Sequence, residues 1–155
     1  MITGELKNKI DRIWLEFWQG GITNPLTVIE QITYLMFIRL LDLEETRLER
    51  QAARTKKPHK GHFTGPDDPR RWGALLHSGS QDALKVVRDD VFPHIKEIAG
   101  RNSTFGRYMA DATFMINKPA LLTKAMELIN DLPLEKGDVK GDIYEYLLSK
   151  LTTAG

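Results

Sequence analysis

Apolar residues recur along most of this chain at intervals of three and four, the period of a helix with one buried face. In the first segment Leu6, Ile10, Ile13, Trp14 and Phe17 share a face behind Thr3, a good N-cap. Gly20 and Gly21 end that segment, because glycine takes the left-handed backbone that a helix terminus often needs. A second helix is expected from Asn24 as N-cap, with Pro25 at the first helical position, where its missing N–H costs nothing. Over residues 28–43 apolar side chains surround nearly the whole circumference, which predicts a central buried helix. Its polar far end, residues 44–51, is expected to project into solvent.

Over residues 50–71 the period stops, and Pro58, Gly61, Gly65, Pro66 and Pro69 punctuate what reads as a long loop. Asp68-Pro69 is expected to cap a short helix with Trp72, Leu75 and Leu76 inward. Ser80 opens another, burying Ala83, Leu84, Val87 and Val91, and Pro93 is expected to break it before a further turn or two. Residues 102–120 read as a short helix plus connector. Pro119 starts a helix with Leu122, Ala125, Met126 and Ile129 inward. A turn-rich linker leads into a last helix over 140–155, with Asp142 as N-cap and an apolar stripe of Ile143, Leu147 and Leu151 beside Tyr144 and Leu148. No segment alternates with a period of two, and no repeat is visible. The pattern predicts an all-α fold, an irregular helical bundle with one long buried central helix and a long basic loop.

The composition is that of a globular domain: 155 residues, 41% hydrophobic, 28% charged. A net charge of +1 means that any nucleic-acid role must come from local patches. With no cysteine, disulfides, thiolate zinc sites and cysteine nucleophiles are excluded. The N-terminus lacks the pattern of a signal peptide, and the most apolar run, "ITYLMFIRLLDL", is interrupted by Arg39 and Asp42 and too short to span a bilayer. These features suit a cytoplasmic protein without a membrane partner.

Motifs for chemistry are sparse. There is no Gly-rich strand-to-helix turn to cradle a cofactor phosphate. Asn24-Pro25-Leu26-Thr27 lacks the second proline and the aromatic of an Asn-Pro-Pro-Tyr/Phe loop, and an N-cap followed by proline explains it. His59 and His62 sit on a glycine-proline loop without thiolates, which is a weak metal site and a better solvated basic loop. Asp138 and Asp142 do not match a calcium loop, and nothing orients His77 with Ser78 or Ser80 as a catalytic group. No catalytic, cofactor or metal residue is assigned.

The loop over 50–71 differs in kind. Arg50, Arg54, Lys56, Lys57, Lys60, Arg70 and Arg71 against Asp67 and Asp68 make it net +5, a patch able to contact phosphates. Phe63 and Trp72 are the nearby aromatics for base stacking, with Trp72 better placed as core. Trp14 and Phe17 read as core too, which leaves Trp18 at the edge of its stripe as a candidate partner contact.

The order of these segments resembles the N-terminal helical domain of the modification (methyltransferase) subunit of type I restriction–modification systems, which are adenine-N6 DNA methyltransferases. The resemblance rests on "IDRIWLEFW", "PLTVIEQITYLMFIRLLDLEE", "RRWGAL", "FMINKPALLTKAMELINDLPL" and "GDIYEYLLSKL". It implies a helical domain over 1–139 and a hinge helix over 140–155 leading into a catalytic domain that these residues do not include. That domain would bind S-adenosylmethionine; this chain alone would not methylate. The implied partners are a specificity subunit, a second modification subunit, a restriction subunit and double-stranded DNA. On this reading Lys56, Lys57, Lys60, Arg70 and Arg71 are the candidate DNA-backbone contacts, and Trp18, Tyr144, Tyr146, Leu147 and Leu151 the candidate domain or partner interface. The alternative is a stand-alone helical adaptor or regulator, whose last helix would pack back onto its own bundle.

Overall fold

Thr3 Oγ1 accepts the Leu6 amide at 3.2 Å and starts helix α1, Gly4–Gln19. In the computed structural model, which describes residues 2–59, 61–99 and 111–154, this helix buries Leu6, Ile10, Ile13 and Phe17. Gly21, at φ +94°, turns the chain toward α2, Pro25–Thr55, whose first amides are capped by Asn24 Oδ1 at 3.1 Å. α2 is the central helix: Val28, Ile29, Ile32, Tyr34, Leu35, Met36 and Ile38 are all buried. It also runs one turn further than its pattern suggests, so the loop spans 56–71 and not 50–71.

The remaining helices are α3, Trp72–His77; α4, Ser80–Val86; α5, Phe92–Ala99; α6, Pro119–Asn130; and α7, Val139–Ala154. Among the described residues there is no strand. Helix α6 lies against α1, α2 and α4, and α7 lies against α2. Leu122, Ala125, Met126 and Ile129 are buried as the period requires.

Three local expectations are corrected. Pro93 does not break its helix: residues Val87–Val91 form a π-helical stretch in which the Phe92 amide bonds the Val87 carbonyl. That wider turn accommodates a ring that lacks an N–H and crowds the carbonyl four residues earlier. Asp68 does not cap α3, whose N-cap position is held by Arg71, because its carboxylate is used within the preceding turn. Asp142 is not the N-cap of α7 but lies inside its first turn, its amide bonded to the Asp138 carbonyl at 3.0 Å. The short helix expected within 102–120 lies outside the described residues as far as residue 110, and residues 112–118 are not helical. They are fastened to α2 by buried Gln31, whose Nε2 donates to the Thr113 carbonyl (3.0 Å) and whose Oε1 accepts the Met115 amide (2.9 Å).

Candidate nucleic-acid and partner interface

The second half of α2 carries two opposed charge stripes. Asp42, Glu45 and Glu49 recur at i, i+3 and i+7, and all three take bonds from the loop region. Arg47, Arg50 and Arg54 repeat the same spacing and line a groove elsewhere on the helix. The far end of α2 is therefore not uniformly solvated: Glu45 is 1% exposed.

The acidic stripe holds the loop down. Arg71 Nε donates to Asp42 Oδ1 at 2.6 Å, and its two Nη atoms reach Glu49 at 3.0 and 3.1 Å. Burial pulls the Arg71 pKa down, but the bonds to Glu49 and Asp42 outweigh it and leave the guanidinium more firmly protonated than usual. Arg70 chelates Asp68 through Nε (3.0 Å) and Nη2 (2.7 Å). Asp68 also accepts the Thr64 and Arg70 amides at 3.0 and 2.9 Å. The Arg70 hydrogen bond, with these amides, holds the Asp68 carboxyl far below the usual range against the opposing effect of burial. Glu45 accepts the His62 amide at 2.8 Å and lies 3.5 Å from His59 Nε2. A Cβ at Gly61 would come within 2.7 Å of the Glu45 Cδ, so glycine permits this close approach.

The expectation that Arg70 and Arg71 reach outward to a DNA backbone gives way here. Both guanidiniums are turned onto carboxylates of their own chain, and Arg71 is 7% exposed. Phe63 is likewise covered, with Arg71 Cζ 5.3 Å and Arg70 Cζ 5.8 Å from its ring centre and the His94 ring at 5.6 Å. Trp72 is core, its Nε1 donating to Asn130 Oδ1 at 2.9 Å. Lys56 and Lys57 are exposed at the tip of α2; Lys60 lies outside the described residues. Among the described residues no cluster of three or more His, Cys, Asp or Glu side chains is placed to hold a metal ion.

The candidate partner residues divide in the same way. Trp18 and Tyr144 are exposed, at 50% and 42%. Leu147 is fully buried with Ile143 in the common core, and Leu151 packs partly buried against it. Tyr146 donates its hydroxyl to Asp11 Oδ1 at 2.8 Å, which docks α7 on α1. Burial, then the bond to Asp11, pushes the Tyr146 phenol up to about 12. Exposed apolar side chains that the residue pattern did not single out as surface include Leu15, beside Trp18 on α1, Leu148, beside Tyr144 on α7, and also Leu26 and Met115.

A groove of about 990 Å3 opens between the basic stripe and the start of α7. Leu40, Leu43 and Ala53 line it together with Arg47, Arg50, Arg54 and Lys140. Arg47 is paired with Glu44 at 2.6 Å, whereas Arg50, Arg54 and Lys140 have no carboxylate partner among the described residues. This basic side was legible in principle from the i, i+3, i+7 spacing of the three arginines.

The chain is thus a helical bundle with a clamped loop and an open groove that is basic along one side. A family model described as the HsdM N-terminal domain matches residues 6–129, and the chain belongs to that family. It is 25% identical over 146 residues to the type I restriction enzyme EcoEI methylase subunit of Escherichia coli, a match covering 88% of this chain and 29% of that relative. The resemblance read from the sequence is thereby borne out. No solved structure matches the chain. No helix among the described residues is long and apolar enough to cross a membrane.

Proposed function

We propose that this domain serves an adenine-N6 DNA methyltransferase subunit of a type I restriction–modification system as its assembly and DNA-closing module. Membership of the HsdM N-terminal domain family carries the reading. The exposed lysines at the tip of α2 support it, since Lys56 and Lys57 present their positive charge to solvent. Lys56 and Lys57, with Lys60, contact the DNA backbone and fix position without reading sequence. Sequence choice belongs to the specificity subunit, and a second modification subunit and the restriction subunit complete the assembly in the cytoplasm. S-adenosylmethionine is bound by a catalytic domain joined through α7. Exposed Trp18 and Tyr144 contribute to the partner surface, while Tyr146, Leu147 and Leu151 hold α7 in place.

The adaptor reading has one observation in its favour, the burial of Ile143 and Leu147 of α7 in the chain's own bundle. A salt titration with arbitrary duplex DNA separates the two. Binding should weaken as salt rises, and replacing Lys56, Lys57 and Lys60 by alanine should make the log–log slope shallower by about 0.9 per lost contact. Weak binding that the triple variant leaves unchanged would remove the tip of α2 from the DNA interface.

A further inference from the structure

The groove beside α2 has a chemistry that the DNA reading does not use. Leu40, Leu43, Arg47, Arg50 and Arg54 form one row at i, i+3, i+7, i+10 and i+14, about 21 Å long, apolar at the bundle end and basic toward the tip. Leu40 and Leu43 are already packed partly against the core, so the floor is well supported. Across the groove stands Lys140, at the start of α7.

We infer that this groove is a docking site for an acidic amphipathic helix of a partner protein. Three features select that occupant. The volume of about 990 Å3 holds about two turns of a helix 10 Å across. A row at helical spacing is the ridge against which a second helix packs. Leu40, Leu43 and Ala53 give an apolar stripe something to bury, and Arg50, Arg54 and Lys140 match carboxylates on its flanks. Duplex DNA fits the same features poorly, because an apolar floor offers phosphates nothing; the Glu44 and Glu135 carboxylates in the lining oppose either anionic occupant alike and are outnumbered by Arg47, Arg50, Arg54 and Lys140. The inference stands apart from the methyltransferase reading, because it concerns the face of α2 bordering α7 and not the lysines at its tip.

The test uses the isotope-labelled 155-residue chain and, as probe, a synthetic Leu/Glu amphipathic helix of about 18 residues. A peptide of the same composition with its leucines scattered is the control. Saturable shifts should centre on Leu40, Leu43, Ala53 and Arg54, and the scattered peptide should not produce them. The double variant Arg50→Glu/Arg54→Glu should bind at least about ten-fold more weakly. Ala53→Trp, which fills the groove without altering its charge, should do the same, whereas alanines at Lys56, Lys57 and Lys60 should not. No saturable binding, equal binding of the scattered peptide, or displacement of the probe from the groove by duplex DNA would each overturn the inference.

Discussion

Arg71 reaches back 29 residues to Asp42, its Nε 2.6 Å from Oδ1, and the same carboxylate oxygen accepts the Trp72 amide at 3.1 Å. One buried carboxylate thus fixes both the end of the loop and the start of α3. Removing one side of such a pair strands the other charge away from water, which costs about 3–5 kcal/mol. Arg71→Ala should fall at the lower end, because Arg39 Nη1 lies 3.9 Å from Asp42 Oδ2 and compensates in part. The expected drop in Tm is about 10 °C. Asp42→Asn/Arg71→Gln should recover part of it by removing both charges. Thermal melts decide: a loss below about 1 kcal/mol for Arg71→Ala would mean that the pair does not hold the loop.

Asp68 makes the loop sensitive to acid. Its carboxyl is held well below an ordinary aspartate, chiefly by the bond from Arg70. The folded state therefore favours the ionised form. Its contribution is complete above the unfolded value of about 3.9 and is lost as pH falls from there toward the lower folded value. Asp68→Asn should cost about 2–3 kcal/mol at neutral pH. The variant should also show a shallower fall in stability below about pH 4 than the parent chain. Parallel slopes in urea melts across that range would show that Asp68 is not the group responsible.

Lys56 occupies the left-handed region at the C-cap of α2, with φ +56°. Glycine is the usual residue there, since a Cβ crowds the following carbonyl by about 1–2 kcal/mol. Lys56→Gly should stabilise the domain by about 1 kcal/mol. If the lysine serves the DNA role proposed above, the same change should weaken salt-sensitive DNA binding. A variant that gains stability and binds DNA unchanged would show the lysine to be incidental.

What was legible follows from range. Helical faces are written at three- and four-residue spacing, so most of the apolar residues that α1 and α6 bury could be listed from the chain alone, as could the apolar middle of α2 and Thr3 and Asn24 as caps. The contacts that shape the candidate site span far greater separations. Gln31 meets Thr113 across 82 residues, and nothing local distinguishes it from a solvated glutamine. Arg70 and Arg71 look like surface charge until Asp68, Asp42 and Glu49 are brought beside them. A count of net charge over 50–71 could not see that these two were neutralised, or that the arginines of the last turns of α2 face a groove.

The docking of α7 bears on whether that helix waits for a partner or belongs to the bundle. Tyr146 and Lys150 converge on Asp11, each at 2.8 Å from Oδ1, and Lys150 Nζ lies over the rings of Trp14 and Tyr146 at 5.1 and 5.0 Å. Below this polar clasp Ile143 and Leu147 are fully buried. Tyr146→Phe removes the hydroxyl and should cost about 1 kcal/mol. Since the folded phenol titrates at about 12, higher than in the unfolded chain, its contribution is complete below about pH 10 and disappears as pH rises through 12. The parent chain should therefore lose stability more steeply than Tyr146→Phe in that window. Hydrogen exchange at neutral pH supplies the second reading: the Leu147 amide should be protected in the parent and less so in the variant. Fast exchange in the parent would mean that α7 is only loosely held, and that its buried face is available to another domain.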